Sequence, residues 1–102
     1  MEITSEQLKS KIDSGEQVMV SFTAVWCGPC KMYKPTYQKL SESSEIPMYI
    51  MDVEQNQDLA MQLGVRAVPT TKAFNNGGEI FSKPGMLSEN ELKSVIKSII
   101  NG

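Results

Sequence analysis

Both cysteines of this 102-residue chain lie in one short segment, Trp26-Cys27-Gly28-Pro29-Cys30. The apolar run Val18-Met19-Val20-Ser21-Phe22-Thr23-Ala24 leads into it, and a helix-like segment from Cys30 to about Leu40 leads out. A strand that ends in Cys-x-x-Cys and enters a helix is the setting of a redox dithiol, because the turn keeps the two sulfurs close enough to form and reopen a small disulfide ring. A zinc site would need further ligands, since zinc usually takes four. The chain offers two cysteines and no histidine, so no metal is expected.

The remaining residues read as one alternating α/β unit, and the whole chain, residues 1–102, as a single domain. Thr4 with Gln7 three positions on forms a capping box for a first helix. Its apolar positions are Leu8 and Ile12, and Gly15 ends it. Residues 17–22 make a short apolar strand that suits the buried centre of a sheet. The next helix, from Cys30, has Met32, Tyr33 and Leu40 as candidate core residues and carries Pro35 inside it, which predicts a kink. Residues 46–53 read as a strand and 56–63 as a short helix closed by Gly64. Residues 70–74 and 79–82 flank Asn75-Asn76-Gly77-Gly78, a hairpin turn sequence. Ser88 and Glu91 form a second capping box, opening a helix with Leu92, Val95, Ile96 and Ile99 on one face. Strands separated by helices imply parallel pairing, and the closing hairpin adds antiparallel edge strands.

Composition excludes several functions. The net charge is -2, with ten basic residues dispersed along the chain, so there is no footprint for nucleic acid. No apolar stretch approaches the ~20 residues needed to span a bilayer, so no membrane partner is expected. The start, Met1-Glu2-Ile3-Thr4-Ser5-Glu6, has no basic or apolar leader pattern, which predicts a cytoplasmic location. Structural disulfides are rare in that reducing compartment, so a catalytic disulfide is the better expectation.

With these features in place the chain resembles the thioredoxin family over essentially its whole length. The likeness is carried by Trp26-Cys27-Gly28-Pro29-Cys30-Lys31-Met32, by Pro35, by Val65-Arg66-Ala67-Val68-Pro69-Thr70, and by the segment from Phe74 through the glycines to Gly85-Met86-Leu87-Ser88. The resemblance implies a thioredoxin fold, a central mixed sheet of about four to five strands flanked by about four helices, with the dithiol at a helix start and Pro69 in the cis form facing it. It implies a monomeric protein-disulfide reductase whose partners are disulfide-containing proteins and a recycling enzyme similar to thioredoxin reductase, supplied by NADPH. No cofactor is expected in the chain itself.

At the dithiol, Cys27 is expected at the N-terminus of its helix, where unpaired N–H groups and the macrodipole favour a thiolate. Cys30, one turn in, is expected to be more buried and to act as the resolving thiol. Gly28 and Pro29 between them are the pairing typical of reductants in this superfamily. Trp26, Val68, Pro69, Gly85 and Met86 are the candidate substrate groove, with Val68 offering backbone groups to an extended segment. The other readings are a disulfide oxidant or isomerase, and a non-catalytic accessory subunit of a larger enzyme.

Two positions depart from the family. A buried aspartate is usual where this chain has Ser21, and its lysine partner aligns with Met48, so both charges are gone. The change is self-consistent, because a lone buried charge is costly. Lys72 interrupts an otherwise apolar strand. Its readings are a snorkelling or solvent-facing lysine, or a cation inside the sheet that perturbs the dithiol.

Overall fold

A computed structural model describes residues 1–102 and has the element order α1 (Ser5–Asp13), β1 (Val18–Thr23), α2 (Gly28–Ser41), β2 (Met48–Asp52), α3 (Gln57–Gln62), β3 (Thr70–Asn75), β4 (Gly78–Pro84) and α4 (Glu89–Asn101). Both capping boxes form: the Thr4 hydroxyl accepts the Gln7 amide, and the Ser88 hydroxyl accepts the Glu91 amide. Pro35 lies within α2, which runs through it without a break.

The sheet order is β2-β1-β3-β4. β1 pairs parallel with β2 across the α2 crossover, and antiparallel with β3. The hairpin therefore does not lie wholly at the edge, as its position late in the chain suggested. β3 inserts beside β1, and only β4 forms that edge. Asn76 and Gly77 both take positive φ, 54° and 86°, the requirement of the two-residue turn whose twist matches the strands it joins.

Side chains alternate between the two faces of the sheet. Met19, Met48, Ile50 and Ala73 project to the face covered by α2 and α4, where they pack with Tyr33, Tyr37, Leu40 and Leu92. Val18, Val20, Phe22, Met51 and Phe74 project to the opposite face and pack with Leu8 and Leu59 from α1 and α3. β1 lies at the centre of both clusters, which is why its run is apolar without alternation. The buried face of α2 is Cys30, Tyr33, Tyr37 and Leu40. Met32 falls out of this phase and is 71% exposed, contrary to its expected place in the core.

Lys72 is 4% exposed. It shares the face of Phe74 on β3, opposite Val20 on one side and Ser82 on the other. Its Nζ donates to Glu79 Oε1 at 2.6 Å and to Ser82 Oγ at 3.1 Å. A bulge at Ala73/Phe74 shifts the register of β4, so Glu79 and Ser82 both meet Lys72 although they are three positions apart and would alternate faces in a regular strand. Lys72 therefore neither faces solvent nor snorkels to it: its ammonium stays inside the fold, with a carboxylate as its partner. The dithiol helix covers the other face, so Lys72 is no part of its surroundings. Replacing Glu79→Gln should cost about 1–2 kcal/mol, because a buried ammonium loses its counter-charge. Lys72→Met should be neutral or stabilising. Urea denaturation of the two variants measures the difference.

The Tyr37 hydroxyl is fully buried without a hydrogen-bond partner. Burial first, and then the neighbouring Tyr33, hold its pKa well above the usual phenol range. A folded-state pKa raised above the unfolded value of ~10 contributes stability below pH ~10, which is lost as pH rises towards the folded pKa. Tyr37→Phe should leave neutral stability unchanged or raise it by up to about 1 kcal/mol. It should also remove that alkaline loss in thermal melts run above pH ~10.

Candidate active site

β1 delivers the chain to the dithiol, and α2 begins there. Cys27 is the N-cap of α2 in extended conformation, and Pro29 falls in the first helical turn, where its missing N–H costs nothing. The Cys27 Sγ accepts the Cys30 backbone N–H at 3.2 Å, so the sulfur occupies the place a serine or aspartate takes in an ordinary cap. No acidic residue lies in the first turn of α2, and the partial positive charge there is left for the sulfur. Cys27 and Cys30 are joined as a disulfide with their Cα atoms 5.2 Å apart.

The two cysteines are equally buried, each 4% exposed. The expected contrast in burial between them is therefore absent in the disulfide form. What distinguishes them is their neighbours. Cys27 Sγ lies 3.6 Å from the Val68 carbonyl oxygen. Cys30, which projects from the buried face of α2, lines a cavity of about 270 Å³ behind the dithiol.

The Val68–Pro69 peptide bond is cis, as the resemblance implies. Pro69 is buried and Val68 is half-buried against Cys27 and Cys30. The Thr70 hydroxyl donates to the Ala67 carbonyl at 2.6 Å and ties the loop before β3. The Val68 N–H donates to no backbone group. Gly85, at φ 89°, donates its N–H to the Pro69 carbonyl at 2.7 Å. A side chain at this φ would be strained, so the glycine lets the chain leave β4 beside Pro69 and places Met86 after it. Trp26 is 65% exposed, next to Cys27, and Met86 is exposed as well. Of the candidate groove residues, Trp26 adjoins Cys27 in the chain and Val68 packs against both cysteines, while Gly85 is joined to Pro69 by its hydrogen bond and Met86 follows it.

Ser21 is buried on the α2 face of β1. Its partner across β2 is Ile50, whereas Met48 lies opposite Met19. The position assigned from sequence was two residues off, a shift that keeps the same face. Ile50 lines the cavity and Met48 does not. The conclusion that no charge faces Ser21 from this position of β2 is unchanged. The rest of the cavity wall was not anticipated. Thr23 and Asp52 stand on the same face as Ser21 and Ile50, and α2 adds Lys31, Lys34 and Tyr37. Glu2 closes one side, held where the segment Met1–Ile3 hydrogen-bonds to both backbone groups of Ile50. The signal was available in the strand alternation Ser21, Thr23 and in the helical spacing Cys30, Lys34, Tyr37.

Comparison with known proteins agrees with this geometry. A family model described as Thioredoxin matches residues 1–98. A thioredoxin of Rickettsia felis is 31% identical over 101 residues, covering 96% of each chain. A thioredoxin of Equus caballus is 39% identical over 89 residues, covering 85% of this chain and 84% of its own. Among solved structures, the thioredoxin of Fasciola hepatica superposes with a TM-score of 0.85 at 30% identity, covering 96% of this chain and 98% of that one. With a cysteine pair closed into a disulfide at a helix start, on a four-stranded mixed sheet of this topology, the chain belongs to the thioredoxin family and is a thiol-disulfide oxidoreductase.

Proposed function

We propose that the chain reduces protein disulfides, with Cys27 as the nucleophile and Cys30 as the resolving thiol. The observation that carries this assignment is the Cys27 sulfur in the N-cap position, accepting the Cys30 amide at 3.2 Å. Reduction of the bridge turns that sulfur into a thiolate, which the helix N-terminus stabilises better than the thiol. The thiolate attacks one sulfur of the substrate disulfide, and the other leaves as a thiol. Cys30 then attacks Cys27 Sγ, closes the internal bridge and frees the second substrate thiol.

The exposed Trp26 and Met86 offer apolar surface to a substrate chain. The unbonded Val68 N–H and its carbonyl suit pairing with an extended substrate backbone. Gly28-Pro29 between the cysteines favours a reductant over an oxidant or isomerase. Electrons come from a flavin-dependent reductase using NADPH, and the protein works as a cytoplasmic monomer. Retention of both cysteines with their cap geometry favours this role over that of an accessory subunit.

Insulin disulfide reduction with dithiothreitol tests the assignment. Cys27→Ser should abolish turnover. Cys30→Ser should also stop turnover, but should accumulate a mixed disulfide on Cys27 that is visible by mass spectrometry. Activity retained in Cys27→Ser, or an adduct trapped on Cys30, would overturn it.

Ser21→Asp tests the departure from the family. A carboxyl beside Ile50 without a counter-charge takes a raised pKa, so its cost is smallest below pH ~4 and grows as pH rises through the unfolded value. The variant should lose about 1–2 kcal/mol at pH ~7 relative to the parent chain, while the resolution step accelerates. Chemical denaturation under acidic and neutral conditions gives the first quantity, and rapid-mixing kinetics the second.

A further inference from the structure

Resolution requires the Cys30 thiolate, and Cys30, 4% exposed in the disulfide form, has little direct contact with bulk solvent. The cavity behind the dithiol supplies a way out. It runs between the first turns of α2 and the C-terminal ends of β1 and β2, with Cys30 and Ser21 in its wall and Asp52 at the end of β2. At about 270 Å³ it is far roomier than the ~30 Å³ one water occupies.

We propose that this cavity is the proton exit for Cys30, with the Ser21 hydroxyl orienting the water that takes the proton and the Asp52 carboxylate as its acceptor. The inference rests on the reading of Cys30 as the resolving thiol. Ser21 Oγ is not among the fully buried side-chain atoms left without a partner, and it faces the cavity rather than another protein group. It is therefore open to water, with one proton to donate and two lone pairs to accept.

Asp52 is half-buried. Its Oδ1 accepts the Glu54 amide at 2.8 Å and the Gln55 amide at 3.4 Å, which holds one oxygen in place and leaves Oδ2 for the proton. Glu2 is exposed and has no such anchoring, so its carboxylate is the less well positioned of the two. The charged groups facing the cavity are Glu2 from the N-terminal segment, Asp52 from β2, and Lys31 and Lys34 from α2. Tyr37 is the remaining titratable group, and β1 contributes only Ser21, Thr23 and the residues that follow them.

The Cys30 S–H gives its proton through water to Asp52, and the Cys30 thiolate attacks Cys27 Sγ. The Cys27–Cys30 bond forms as the Cys27–substrate bond breaks. The substrate sulfur leaves with the electron pair and is protonated, and Asp52 returns its proton to solvent.

The test uses the reduced protein and a chromogenic aromatic disulfide, dithiobis-nitrobenzoate, in stopped flow. The first nitrothiolate released reports attack by Cys27, and the second reports resolution by Cys30. In Asp52→Asn and in Ser21→Ala the second phase should slow by about tenfold at neutral pH, and its pH midpoint should move upward. The first phase should keep its parent rate. The double variant should be no slower than the slower single one, because both residues serve one route. Parent second-phase rates and pH profiles in both variants would overturn the proposal. Uniform slowing with an unshifted profile would also overturn it, since that marks a structural role. A second phase that persists in Cys30→Ser would instead remove the underlying assignment of the resolving thiol.

Discussion

The hydrogen bond from the Cys30 amide to the Cys27 sulfur joins the helix cap to the chemistry. A helix must satisfy the free N–H groups of its first turn, and α2 uses a sulfur where most helices use an oxygen. The need that would otherwise be met by serine or aspartate thereby becomes a bias toward negative sulfur. Everything else around the dithiol maintains this placement. β1 fixes the entry point from the centre of the sheet, Tyr33, Tyr37 and Leu40 anchor α2 to the α2/α4 face, and Val68 packs against both cysteines from the loop before β3.

Burial of the resolving cysteine against a cavity has its own logic. A carboxylate below the second thiol would destabilise the core in return for a nearby base. This chain has Ser21 there, with Ile50 across β2 and the Tyr33–Thr71 hydroxyl pair at 2.9 Å on the same face. These groups remain neutral at physiological pH. The charged residues are displaced outward to the cavity mouth, where water screens them. The interior is uncharged on the α2 side, and on the other side it contains a single ammonium, Lys72, whose partner Glu79 reaches solvent.

Much of this arrangement was legible in the residues. The capping boxes at Thr4 and Ser88, the Asn76-Gly77 turn and the strand-to-helix position of the dithiol depend on local chemistry, and each forms where the sequence placed it. Errors arose where distant segments decide the outcome. The partner of Ser21 was displaced by two residues along β2. Alternation fixes the face of a strand, but a parallel register across a helical crossover depends on packing that no local pattern encodes. Lys72 could be assigned to a strand, while its counter-ion could not, because the bulge that presents Glu79 and Ser82 together leaves no clear mark in the chain. Met32 is a different case. The spacing of Cys30, Tyr33, Tyr37 and Leu40 already excludes it from the buried stripe. Equal burial of the two cysteines was hidden for another reason, since it depends on Val68, 41 residues away in the chain, packing against Cys27.

The sheet has two open flanks, and both are guarded. On the β2 side the N-terminal residues hydrogen-bond to both backbone groups of Ile50. On the β4 side the strand carries Glu79 and Lys83, bends at a bulge, and ends in Pro84, which has no amide hydrogen. Charges, bulges and proline are the devices that deter one sheet from adding onto another. A stray unfolded chain therefore meets resistance along the rims, whereas the unpaired amide at Val68 lies beside the sulfur pair. Addition of a chain at a rim and pairing at Val68 would draw on the same kind of backbone hydrogen bond, and the molecule keeps the two places apart.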